Sequence, residues 1–189
     1  ASWATNAITS SYPITVTGST LRSVSPEGGV GGSTDNSIFL GSGAGNGAIN
    51  ASDSNFIGRE AGNQATNAFR SNFFGYQTGY GTGTSGLSSD SNFFGYQAGF
   101  QAQYTTNAHF FGYQAGYQAN RATASVFIGY QSGYGTTTTQ NCIFIGDSTG
   151  FQVNNTDNAN FLGYRAGYQA YGANDSNFLG YRAGYQAQS

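Results

Sequence analysis

The chain has 189 residues and a formal charge of −2; charged residues make up 7% of it, Lys and Met are absent, and 30 Gly accompany 15 Phe and 14 Tyr. So many aromatics at so low a net charge exclude a disordered chain, and without a run of about 18 consecutive apolar residues no membrane helix is expected. The six basic residues are all arginine and scattered, so no basic stripe forms and nucleic acid is not an expected partner.

Residues 1–35 form a first region. Ala1 to Thr20 mixes small, hydroxyl and apolar residues, including Trp3, Tyr12, Ile14 and Val16, which suits short extended segments better than helix. Pro26 to Ser33 (Pro-Glu-Gly-Gly-Val-Gly-Gly-Ser) is a turn-rich linker. An entry segment or neck with a strand or two of its own is expected here. The chain begins at Ala1 with no initiator Met and no charged-then-apolar signal segment, the pattern of a processed chain or of a piece of a longer one.

Residues 36–189 are a repeat array. Aligning on the first aromatic of each copy gives Phe39, Phe56, Phe73, Phe93, Phe110, Phe127, Phe144, Phe161 and Phe178. The steps are 17 residues except for one of 20, whose extra residues fall within the Gly/Ser-rich tract Gly83 to Asp90. A constant period over nine copies is the signature of stacked coils. Each Phe is followed by Leu, Ile or Phe and then by Gly: Gly41, Gly58, Gly75, Gly95, Gly112, Gly129, Gly146, Gly163 and Gly180. Four residues later comes a second Gly in every copy, Gly45 through Gly184, preceded by a small residue, most often Ala, and usually followed by Tyr or Phe. These Phe and first-Gly positions are the candidate structural ladder.

Two Gly per 17 residues would cost a helix about 1 kcal/mol each and leave no helical-period stripe. Short strands joined by glycine turns fit better: two per coil, one near Ser-Asn-Phe-Phe-Gly and one near Ala-Gly-Tyr-Gln-Ala. The fold expected is therefore all-β, a parallel β-solenoid of nine coils with a 17-residue period. At about 4.8 Å per coil it makes a rod roughly 40 Å long, with like side chains stacked along its axis. Because adjacent strand residues point to opposite faces, the Phe and the apolar residue beside it cannot share one small core. Both faces call for burial, which points to a homo-oligomer packed about one axis.

Repeats of the form Ser-Asn-Phe-(Phe/Ile/Leu)-Gly-Tyr-Gln-Ala-Gly-Tyr-Gln-Ala, spaced by Thr, Asn and Ser, resemble those of bacteriophage tail fibres over residues 36–188. They are more distantly similar to the Val-Ala-Ile-Gly coils of trimeric autotransporter adhesin heads, whose period is shorter. The resemblance implies a β-solenoid of the β-roll or triple β-helix kind, a homotrimeric fibre shaft, a place on the virion and a role in host attachment, with a host surface glycan or protein as receptor. A bacterial trimeric surface adhesin or extracellular filament subunit is the alternative.

The remaining motifs have structural readings. Cys142 cannot form an intrachain disulfide or a metal cluster alone; it occupies a slot held elsewhere by Ser or Ala, so a buried small residue is expected. His109 stands where other coils carry Asn and reads as a substitute in an Asn ladder. Asp53, Asp90 and Asp175 recur three residues before the Phe and read as turn residues rather than calcium ligands. Tyr113, Gln118, Tyr164 and Gln169 belong to rows that read as inter-coil or inter-chain packing, with sugar stacking as the other use of an aromatic face beside amides. Acidic residues are few and lie mostly at turns, so an enzyme with paired carboxylates is not expected, no catalytic residue is named, and no cofactor or metal is implied.

Overall fold

The computed structural model describes residues 21–24, 36–83 and 88–188. Apart from Leu21–Val24, the neck and linker expected in residues 1–35 lie outside the described residues. Among the described residues there is no helix. The strands are β1 (Leu21–Val24), β2 (Ser37–Leu40), β3 (Asn55–Ile57), β4 (Asn72–Phe74), β5 (Asn92–Phe94), β6 (His109–Phe111), β7 (Val126–Ile128), β8 (Thr137–Gln140), β9 (Ile143–Ile145), β10 (Asn154–Asp157), β11 (Asn160–Leu162) and β12 (Asn177–Leu179). They form a parallel β-solenoid of about eight turns with a 17-residue period.

From β2 onward every repeat-bearing strand pairs in parallel with its equivalent in the next coil, Phe opposite Phe. β1 is the exception: it lies antiparallel on β2, with Leu21 opposite Leu40 and Val24 opposite Ser37. A second wall is marked by the parallel pair β8–β10 and by single bridges such as Gln103 to Asn120 and Asn154 to Tyr171.

The core follows from which side chains are large. The phenylalanine rings stack in one column, with centroids 4.6–4.9 Å apart, matching the spacing of neighbouring strands. The other inward positions hold small residues. In the coil that carries Phe110 these are Ala108, Ala115, Ala119 and Ala122, all fully buried; in other coils Ser, Thr, Cys or Val takes their place. One large and four small side chains fill a narrow cross-section, with the ring crossing it.

The stretch between the two walls differs from expectation. Ala-Gly-Tyr-Gln-Ala is not a strand but a run of overlapping turns. Ala115 N–H donates to Gly112 O, Tyr117 N–H to Gln114 O and Ala119 N–H to Gly116 O. The third residue of each turn is left-handed, with φ of 53° at Gln114, 63° at Gly116 and 53° at Gln118, as type II turns require. Coil-to-coil hydrogen bonds hold these residues too: Gly116 N–H donates to Ser132 O at 2.9 Å and Gln118 N–H to Phe100 O at 2.7 Å. The second extended wall instead lies further on, where Thr137–Gln140 and Asn154–Asp157 pair.

The longer step is absorbed locally. Gly83 N–H donates to Ala102 O and Ser88 N–H to Asn67 O, the partners the regular register prescribes. The insertion is therefore confined to residues 84–87, outside the described residues, and Phe73 still stacks on Phe93 at 4.8 Å.

Candidate functional surface

The two glycine columns explain the repeat's grammar. At Gly129, representative of the first column, φ is +131°, and an added Cβ would sit 2.3 Å from Gly146 O, the backbone of the next coil. The second column is set by the core: a Cβ on Gly133 would sit 2.2 Å from Cδ2 of Phe127 in its own coil. One glycine lets backbone stack on backbone and the other lets the ring lie on its own main chain.

The small slot two before each Phe does more than fill space. Ser54 Oγ donates to Ala68 O at 2.8 Å within its own coil and accepts from Ser71 N–H at 3.0 Å in the next. Cys142 fills the same slot: its Sγ lies 3.2 Å from Thr156 O, and its N–H donates to Ser125 Oγ at 3.1 Å. Burial pushes the Cys142 thiol up to about 11.

Amide ladders run along the outside. Asn55 donates to Asn72 at 2.7 Å and Asn72 to Asn92 at 2.8 Å, and His109 Nδ1 lies 3.0 Å from Asn92 Nδ2, in the place of the next Asn. One glutamine column links Gln131, Gln114, Gln97 and Gln77, each Nε2 donating to the preceding Oε1 at 2.8–2.9 Å. A second joins Gln118 to Gln101, and Gln186 to Gln169 to Gln152. Asp53, Asp90 and Asp175 all sit in left-handed turn positions of one column. Asp53 accepts from Asn36 and Asp175 from Asn158, while Asp90 pairs with Arg70 at 2.5 Å across the insertion. That hydrogen bond lowers the Asp90 carboxyl and raises the Arg70 guanidinium relative to their ordinary values. Among the described residues no group of three or more His, Cys, Asp or Glu is placed to hold a metal ion.

The face outside the phenylalanine column is apolar. Phe111, Ile128, Ile145 and Leu162 point outward and are 36–39% exposed, and at β7 and β9 the flanking Val126 and Ile143 join them. Beside this row runs a stacked tyrosine column, Tyr76, Tyr96, Tyr113 and Tyr130, interrupted by Asp147 and resumed at Tyr164 and Tyr181. A further aromatic column, Tyr80, Phe100, Tyr117, Tyr134, Phe151, Tyr168 and Tyr185, is half-buried, with centroids 4.9–5.2 Å apart. Burial and the neighbouring Tyr134 raise the Tyr117 phenol.

The rows containing Tyr113, Gln118, Tyr164 and Gln169 are thus inter-coil ladders with solvent-facing edges. Sequence reasoning missed that one of them is broken: Gly47, Gly81 and Gly135 stand in the second glutamine column where other coils carry Gln, and Gly81 and Gly135 leave gaps between glutamines. That signal was present in the alignment. No helix among the described residues is long and apolar enough to cross a membrane. In comparisons with known proteins, no family model, curated protein or solved structure matches this chain.

Proposed function

We propose that the chain is a structural protein, the shaft of a homotrimeric fibre of the phage tail-fibre kind that serves in attachment to a host cell. On this reading the nine phenylalanine-bearing coils, and not any cleft, are the working part of the molecule. The observation that carries it is the outward apolar row Phe111, Ile128, Ile145 and Leu162, which continues from coil to coil beside exposed tyrosines. A contiguous apolar strip of this kind marks an interaction surface, and a strip that repeats along a straight rod is matched by another copy of the same rod. Three copies about one axis would cover it in the way that closed symmetric oligomers cover a shared surface. The likeness of the repeats to tail-fibre sequences supplies the biological setting.

The test is the solution mass by light scattering at low and high concentration, against 19.7 kDa for one chain. A stable threefold mass, reduced to one chain by the double substitution Ile128→Gln and Ile145→Gln, is the expected result. A folded monomer at all concentrations overturns the trimer and the attachment role built on it.

A further inference from the structure

A notch of about 420 Å³ opens on the second glutamine column, lined by Gln64, Tyr80, Gly81, Gln101, Gln103 and Gln118. Its size falls within the range of small-molecule sites. It lies where Gly81 interrupts the column, and it keeps the ladder's hydrogen-bonding pattern without the residue that would satisfy it. In this column each Nε2 donates to the Oε1 of the coil before, as Gln118 does to Gln101 at 3.2 Å. A glutamine at position 81 would donate to Gln64 Oε1 and accept from Gln101 Nε2. Among the described residues neither of those two atoms has another hydrogen-bond partner. The gap therefore presents an acceptor from one side and a donor from the other, on residues two strand spacings (about 9.5 Å) apart, with the facing atoms closer than that because each amide points into the gap.

The group that fits is an amide whose N–H and C=O point in opposite directions, as they do in a trans secondary amide. One wall of the notch is Tyr80, the first ring of its aromatic column. One face of that ring stacks on Phe100 at 5.2 Å; toward the preceding coil the equivalent residue is Asn63, so on that side the ring meets an amide and not another ring, and Tyr80 itself lines the notch. An aromatic face is electron-rich and packs against polarised C–H groups. The second gap, at Gly135, lacks this feature, because Tyr134 is stacked between Tyr117 and Phe151. Gln103 closes the floor by donating to Gly81 O at 3.0 Å.

We propose that this notch is a binding site for an N-acetylated amino sugar: the acetamido group takes the place of the absent glutamine amide, between Gln64 and Gln101, and the pyranose ring lies against Tyr80. The inference rests on the proposed attachment role only for its biological use, since the sugar titration and the mass measurement can fail independently.

The experiment is a titration of the full-length, isotope-labelled chain with N-acetylglucosamine, followed by amide and side-chain chemical shifts. Saturable shifts centred on Tyr80 and Gln101 are expected, with glucose and N-methylacetamide each at least tenfold weaker. Gly81→Gln fills the gap with the side chain that the column uses elsewhere and should weaken binding more than tenfold. Tyr80→Asn, which installs the residue the preceding coil carries, should do the same, while Gly135→Gln should leave binding unchanged. Melting curves show that each variant is folded. No saturable shift at a few tens of millimolar, equal binding by the Gly81→Gln variant, or equal binding of glucose or N-methylacetamide overturns the proposal.

Discussion

The Phe127 ring lies on the main chain at Gly133, so closely that a Cβ there would be 2.2 Å from the ring. The contact recurs in other coils, for example between Phe110 and Gly116 and between Phe144 and Gly150. It ties the one large core side chain to the turn that lets the chain double back. Gly133→Ala should therefore expel the ring or the turn and lower stability by about 2 kcal/mol or more, since overpacking typically costs 1–3 kcal/mol and the left-handed conformation adds to it. Gly135→Gln, two residues on, should cost clearly less, because it carries the left-handed strain without a clash. Its φ is +62° too, but a Cβ there meets only Gln152 Cγ, at 3.5 Å, and the new amide would join Gln118 to Gln152. Thermal melts of the two variants check the contrast.

The first glycine column makes a sharper demand. Gly129→Val should abolish assembly, because the side chain would enter the backbone of the next coil at a φ of +131°. Arg165→Gln should be tolerated, with a melting temperature within a few degrees of the parent. Gln fills that turn position in other coils at the same left-handed φ, and the change removes a buried Nε that has no partner among the described residues. Normal assembly of the valine variant would contradict the stacking of backbone on backbone.

Ala124 holds a left-handed φ of 52° in the column where Asn107 and Asn141 stand in the coils on either side. A non-glycine residue without a short polar side chain is disfavoured there by roughly 1–2 kcal/mol. Ala124→Asn should recover part of this and extend the ladder in which Asn141 donates to Asn158. A higher urea midpoint with an unchanged slope is the expected observation.

The buried thiol gives a pH dependence. In the folded chain the Cys142 pKa is raised from 9.0 to about 11, so the folded state keeps a proton that the unfolded state loses. This contribution is fully present below pH 9 and is lost as the pH rises through about 11, by an amount on the order of 2–3 kcal/mol. Cys142→Ser, which matches the residue in that slot of most coils, should reduce the alkaline loss of stability relative to the parent. A thiol reagent at pH 8 should label the parent only at the rate of unfolding.

The solenoid and its phenylalanine column were legible in the sequence because one large residue recurs at a fixed interval among small ones, and only stacking explains that. The burial of Cys142 and the place of His109 followed from comparing slots. The turn run at Ala-Gly-Tyr-Gln-Ala was not legible: nothing in the propensity of glutamine signals a left-handed residue. Gln114 and Gln118 adopt that conformation because coil-to-coil hydrogen bonds and the amide column hold them there. The gap at Gly81 was visible as a missing Gln, but its meaning depends on which way the ladder amides point and on which face of Tyr80 is covered, and both are tertiary facts.

Asn55 and Asn72 provide the most direct test of the in-register stack on which everything above depends. They are register partners in β3 and β4, and their outward side chains are hydrogen-bonded at 2.7 Å. In a Cys142→Ser background, cysteines at 55 and 72 are one strand spacing apart, about 4.8 Å between Cα atoms, within reach of a disulfide. Cysteines at 55 and 74 share a face but lie about 8 Å apart, beyond that reach. Mild oxidation followed by mass spectrometry should give an intrachain cross-link for the first pair and none for the second. Cross-linking of the second pair, or of neither, would contradict a 17-residue parallel stack.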